Sequence, residues 1–406
     1  MKILLTLDGP LFPADTGGKI RSLNIFKRLA ARAEIHAVSL ADKQAAAIPE
    51  MMSIFRSYTP VFCREAKINS PGFYKDLLAS QLSRLPYFLE KRNAPGFRSA
   101  VKQLLGRQRF DLLFCDFLHT AAPLLSIQFT PRIIFEHNIE FLLRKRKWQV
   151  EQRPLRRFVF GNEWRKTQAI ETSVCRAFDH VITVSAEEEQ IVRQQFAVQP
   201  VSALPAGVDT DFFQPVDVRP TPGRMVFVGS MDWYANEDAV TWFLREIYPQ
   251  ILKTVPNASF SVVGRNPSSR LRALAAKHPS VEITGWVSDV RPHLGQAEVV
   301  VVPLRVGGGT RIKIPEAMAM AKPIVSTPIG AEGLPFLDAR ELLIADRAEP
   351  FAKKTVELLH NAILRDAIGR MARDKVVNHH SWTSVVDALE SILERVMSSK
   401  TRASAA

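Results

Sequence analysis

Short apolar runs alternate with amphipathic stretches along the whole chain, and the alternation restarts once. Positions 2–7, 35–40, 111–115, 132–135 and 181–184 are near-continuous apolar or β-branched runs, the composition of strands buried on both faces. A weaker strand is predicted near 59–63. Helical spacing fills the intervals at about 19–32, within 72–106 and over a long stretch at about 139–178. Ser185 then reads as a helix N-cap, with Glu187, Glu188 and Glu189 placing negative charge in the first turn. Residues 200–213 carry turn signals without a helical period and are predicted to form a linker. Strands follow at 224–229, 259–264, 281–284, 299–302 and 323–326. Helices are predicted after Asn236, at 268–277, ahead of the strand at 323–326, within 349–376 and at 383–397, with 398–406 disordered.

Strand–helix alternation in both halves predicts an α/β protein of two doubly wound, Rossmann-like domains, with ligand in the cleft at the strand C-terminal ends. The expected boundaries are 1–205 for the first domain, 206–380 for the second, and 381–406 for a terminal helix and tail.

The most informative stretch is AEVVVVPLRVGGGTRIKIPEAMAMAKPIVSTPIGAEGL, from Ala297 to Leu334. A buried strand, Pro303, three glycines (Gly307, Gly308, Gly309), a helix and a second short strand make a βαβ unit whose loop lets phosphate approach the backbone. Free N–H groups at the helix start favour an anion, and Arg311 and Lys313 add positive charge beside it. The Glu316 carboxylate can accept two hydrogen bonds from a vicinal diol such as a ribose. Diphosphate and ribose together describe a nucleotide. Pro315 requires the helix to begin close by or to have distorted first turns.

This stretch resembles the donor-binding motif of retaining glycosyltransferases of the GT-B fold, in the family 4 group. The similarity extends over most of the chain: DTGGKIRSLNIFKRLA, with Gly17 and Gly18, is similar to the family's first glycine loop; FDHVITVSAEEEQIV and LPAGVDTDFFQP to the segments before the hinge; VFVGSMDWYANEDAVTWF, with Gly229, to the opening of the donor domain. The resemblance implies two domains facing across a cleft, with a C-terminal helix crossing back to the first domain, a place HHSWTSVVDALESIL fits. It also implies that Glu316 holds the donor ribose and that Gly307, Gly308, Gly309 and Thr310 face diphosphate and sugar. Many members carry a glutamate where this chain has Gly308, which shifts donor work to Arg311 and Lys313.

Other candidates follow strands of the first half. His137, in IIFEHNIEF, stands just past a strand end; alone it would be structural, but the resemblance implies contact with the donor sugar. Glu136, Asp116 and His119 rank below it. Adjacent His379 and His380 point apart on a helix and make a poor metal pair. Asp209-Thr210-Asp211 has a metal-binding D-x-D form, yet lies among turn residues and reads as a capped turn. No essential metal and no cofactor beyond a nucleotide-diphosphate sugar substrate are expected. Negative charge developing on the departing diphosphate then needs fixed positive groups, for which Arg311, Lys313 and loop N–H groups are the candidates.

Net charge adds one partner. The chain carries 54 Lys+Arg against 41 Asp+Glu, a net +13. The densest basic cluster, 144–166, has nine basic and two acidic residues interleaved with Trp148, Phe158, Phe160 and Trp164. It reads either as a solvated helix face or as a dock for an anionic membrane, with Trp148 and Trp164 at headgroup level. No nucleic-acid recognition motif is present. Three scattered cysteines (Cys63, Cys115, Cys175) give neither a disulfide framework nor a zinc pattern, and fit a reducing cytosol. The N-terminal apolar run is too short for a signal peptide, and no stretch approaches a membrane span. The expected function is transfer of a sugar from a nucleotide-diphosphate donor to a saccharide or lipid-linked acceptor, with retention, in surface polysaccharide or glycolipid synthesis at the cytoplasmic face. The alternative is a sugar-nucleotide epimerase of the same fold; a nicotinamide dehydrogenase lacks its G-x-G-x-x-G loop here.

Overall fold

A computed structural model describes all residues except 15, 42–47, 64–69, 93, 307–311 and 406, and the side chains of Val150 and of 400–405. The chain divides into two compact units, Met1–Pro205 with Val386–Ala406, and Ala206–Val385.

The first unit is built on a seven-stranded sheet of β1 (Lys2–Leu7), β2 (Glu34–Ala41), β3 (Ser57–Phe62), β4 (Leu112–Asp116), β5 (Arg132–Phe135), β6 (His180–Thr183) and β7 (Val201–Ala203). Their order is β3-β2-β1-β4-β5-β6-β7, with every neighbouring pair parallel. The chain runs outward from β1 to β3 and returns to β4 on the other side of β1, so the topological switch lies between β1 and β4. Leu4, Leu113, Ile134 and Val181 bury completely on one face of this sheet and Leu5, Phe114, Ile133 and Ile182 on the other, which explains why these strands are apolar on both faces.

The second unit holds β8 (Arg224–Val228), β9 (Ser259–Val263), β10 (Val281–Gly285), β11 (Val299–Val302), β12 (Ile324–Ser326) and β13 (Leu343–Ile344), all parallel, in the order β10-β9-β8-β11-β12-β13. Its switch lies between β8 and β11. The loop that precedes Lys313 therefore leaves the sheet beside Gly229.

Several sequence expectations need correcting. The stretch 139–178 is helical as expected but breaks into two helices, Glu140–Val150 and Pro154–Ala177, because Pro154 lacks an N–H and fits only at a helix start. The buried Glu171 carboxylate accepts from Glu140 N at 2.7 Å and Phe141 N at 2.8 Å, capping the first helix from within the second. The predicted linker 200–213 contains β7, because Val201 to Ala203 pair with β6 and cover its edge. β13 is absent from the sequence expectations; a two-residue strand leaves no period to read. The terminal helix runs Trp382–Ala405, so the tail expected to be disordered continues the helix: nothing from 398 to 405 is Gly or Pro, and Ala, Lys and Arg favour helix. Its part from Val386 onward groups with the first unit, where Asp387 and Glu390 each accept from Arg32 at 2.6 Å.

Candidate donor and acceptor-side sites

In the second unit Gly229 and Lys313, two of the residues expected at the donor, meet at the switch between β8 and β11. Gly229 follows β8, and a Cβ there would lie 2.8 Å from Lys313 Nζ and 2.9 Å from Asn236 Nδ2, so the missing side chain lets both groups approach the strand end without shifting. Lys313 Nζ donates to Asn236 Oδ1 at 2.8 Å and sits 4.1 Å from the Phe227 ring centroid. Asn236 Nδ2 in turn donates to Ser230 O at 2.8 Å, which fixes the amide that receives the lysine. Asn236 is not among the sequence candidates; its only signal is its place at the expected start of a helix.

Lys313 opens the helix Lys313–Ala319, and Pro315 stands in its first turn, where its missing N–H costs nothing. Glu316 follows on the same turn. Burial pushes its carboxyl up to about 7, with the Lys313 charge opposing. Gly307, Gly308, Gly309, Thr310 and Arg311 lie outside the described residues.

In the first unit, the ends of β1, β4 and β5 gather a buried polar cluster. Asp116, the last residue of β4, accepts from Ser22 Oγ at 2.6 Å and pairs with His137 Nε2 at 2.7 Å. The carboxylate can only accept, so the proton of a neutral His137 lies on Nε2 and Nδ1 is left as an acceptor. His137 Nδ1 is buried and makes no hydrogen bond among the described residues. Burial lowers the His137 pKa, with Asp116 opposing, which favours the neutral imidazole. Its ring stacks on Phe117 with centroids 3.8 Å apart. Phe117 takes a φ of 76°, unusual for an aromatic residue, and this turn directs its ring under His137. Gly18 accommodates that ring: a Cβ there would stand 2.8 Å from Phe117 Cζ. Gly17 starts the helix Gly17–Leu29, capped by Thr16.

Arg21 completes the cluster. Burial lowers its pKa to about 10, offset by Glu188 and Asp116, while burial raises Glu188 to about 7. Arg21, Ser22 and Glu188 escape the sequence reading as site residues, since charged groups on amphipathic helices read as solvent-facing. Glu136 is different: burial, then Glu171, Glu140 and Glu188, raise its carboxyl well above the usual range, and it lies 4.0 Å from Cys175 Sγ. It is a buried carboxyl of the core, and burial favours its neutral form. His119 stands 3.9 Å from Asp8 and packs edge-on against Phe88.

Among the described residues no group of three or more His, Cys, Asp or Glu is arranged to hold a metal. Asp209 Oδ1 accepts from Asp211 N at 3.2 Å and Phe212 N at 3.0 Å, a capped turn. His379 is exposed whereas His380 is buried. Cys63, Cys115 and Cys175 are free thiols.

Comparison with known proteins agrees with this architecture. Residues 222–361 match the family described as Glycosyl transferases group 1, and residues 23–212 match Glycosyltransferase Family 4. An uncharacterized 44.6 kDa protein in the cps region of Klebsiella pneumoniae is 20% identical over 369 residues, 88% of this chain and 91% of that protein. A phosphatidylinositol N-acetylglucosaminyltransferase polypeptide of Arabidopsis thaliana is 26% identical over 239 residues, 55% of this chain and 51% of that protein. Among solved structures, sucrose-phosphate synthase from Thermosynechococcus elongatus superposes with a TM-score of 0.71 at 16% identity, covering 98% of this chain and 99% of that one. HepE from Anabaena in complex with UDP gives 0.66 at 12% identity, covering 97% and 100%. With two family matches spanning most of the sequence and the same fold throughout, the chain belongs to the group 1, family 4 glycosyltransferases of GT-B fold.

Proposed function

We propose that this glycosyltransferase moves a hexosyl unit from a nucleotide-diphosphate sugar to a saccharide or lipid-linked acceptor, with retention of anomeric configuration and without a metal. The observation that carries the reading is Lys313 Nζ held at Gly229 and Asn236, one turn from Glu316. A fixed cation beside a carboxylate at a sheet switch point suits a diphosphate next to a ribose. Gly307, Gly308, Gly309, Thr310 and Arg311 would complete the diphosphate side. On the acceptor side, the Nδ1 acceptor of His137 would receive a donor-sugar hydroxyl, with Gly17 and Gly18 at the neighbouring turn. The cps-region relative and the phosphatidylinositol-glycosylating relative support a surface polysaccharide or glycolipid as product.

Because HepE binds UDP, UDP is the first probe. It should raise the melting temperature in a concentration-dependent way, and the absence of any shift with every nucleoside diphosphate would overturn the reading. The shift should also depend on pH. Glu316 titrates near 7, and only its ionised form accepts both ribose hydroxyls, so UDP affinity should strengthen as pH rises through about 7. Glu316→Gln should flatten that dependence. The same raised pKa has the opposite sign for the free protein. Its stabilising contribution is full below the ordinary carboxylate range and is lost as pH rises through about 7.

Turnover should persist in EDTA, measured as sugar transfer from a nucleotide-sugar donor. Complete loss, restored by Mg²⁺ or Mn²⁺, would contradict a metal-independent mechanism and return attention to Asp209 and Asp211.

A further inference from the structure

The first unit exposes large apolar side chains in pairs at helical spacing. Leu78 and Leu82 are 70% and 94% exposed, one turn apart on the helix Pro71–Leu82. Leu155 and Phe158 are 77% and 69% exposed at the start of the helix Pro154–Ala177. The two helices are joined: Asn162 Nδ2 donates to Gln81 Oε1 at 2.9 Å, and Gln81 Nε2 donates to Glu163 Oε1 at 3.3 Å. Leu82 adjoins Gln81 in sequence, and Phe158 lies one turn before Asn162.

Charge says what covers these apolar pairs. Segments 71–84 and 145–158 together carry eight basic residues against two acidic ones, Asp76 and Glu151. Arg153, Arg156 and Arg157 are exposed beside Leu155 and Phe158, and Lys75 and Arg84 flank Leu78 and Leu82. Trp148 and Trp164, expected at the headgroup level, instead stack on each other at 4.9 Å, with Arg157 and Lys145 over their rings. These half-buried indoles already cover each other's faces, so the protruding leucines and phenylalanine take the apolar role in their place.

We propose that Leu78, Leu82, Leu155 and Phe158, ringed by these basic side chains, form a docking surface for an anionic lipid bilayer. Apolar side chains enter the boundary of the acyl region while Lys and Arg meet anionic headgroups. No helix among the described residues is long and apolar enough to cross a membrane, and docking of this kind needs none.

Co-sedimentation of the full chain with phosphatidylcholine vesicles, with and without phosphatidylglycerol, tests this. Binding should require the anionic lipid and weaken with salt, since screening acts beyond roughly 8 Å at physiological ionic strength. Combined Leu78→Ser, Leu82→Ser, Leu155→Ser and Phe158→Ser substitutions should weaken it about tenfold or more, and Arg153→Glu with Arg156→Glu by a similar factor. Unchanged far-UV circular dichroism and calorimetric unfolding of both variants show that the first unit, which carries the substitutions, still folds. Equal pelleting with neutral vesicles, or undiminished binding by the folded variants, would overturn the proposal. So would a dimer in sedimentation velocity that the four serine substitutions dissociate, because the surface would then belong to a second copy. A protein that docks but gives no UDP shift would keep this surface and remove the donor assignment.

Discussion

Lys313→Ala is expected to lower kcat by about 10²–10³-fold while changing the nucleotide KM by only a few-fold. The leaving diphosphate gains negative charge as its bond to the sugar breaks, so a fixed cation binds the transition state more tightly than the ground state. The lysine is preorganised: Asn236 holds its Nζ at 2.8 Å, and Gly229 has no Cβ to crowd it. The double variant with Arg311→Ala should lose more than either alone. Glu316→Ala should show the complementary pattern, raising the nucleotide KM through the ribose with a smaller effect on kcat. Steady-state kinetics with a nucleotide-sugar donor separate the two. Wild-type parameters in both Lys313→Ala and Glu316→Ala would remove this site.

Asp116→Ala is expected to destabilise the first unit by about 3–5 kcal/mol, because it removes one side of a buried charge cluster. Asp116 serves three partners at once: Ser22 Oγ, His137 Nε2 and, through space, the buried Arg21. Alanine would leave the imidazole N–H unpaired and remove one of the carboxylates whose charge offsets the burial of Arg21. For a unit of this size the corresponding fall in Tm is on the order of 10 °C, readable by calorimetry. Asp116→Asn keeps the shape and should cost less stability, yet it no longer fixes the His137 tautomer and should still depress turnover. An Asp116→Ala protein with unaltered Tm would show that the cluster contributes nothing net, which buried ion pairs can do when desolvation cancels attraction.

The strand positions were legible because a parallel strand covered by helices must be apolar on both faces. Runs such as Ile133–Phe135 and Val299–Val302 carry that requirement in their own composition. The glycines, Lys313 and Glu316 could be put forward as a group because one βαβ unit holds them within a few turns of chain. By itself, the sequence therefore determined two doubly wound halves and put forward the candidate donor residues of one loop. Which strand ends lie side by side depended on the order in which the strands pair, and no local period reports that order. Asp116 meets Ser22 and His137 only because β4 lies between β1 and β5. Asn236 reaches Lys313 because β8 and β11 are neighbours. The direction a side chain faces was likewise a tertiary decision. The basic segment 144–166 reads the same whether its tryptophans point outward or stack together, and only the folding back at Pro154 turned Trp148 onto Trp164 and left Leu155 and Phe158 in solvent. Periodicity records each residue's environment along its own element, whereas contact between distant elements is set by topology and packing.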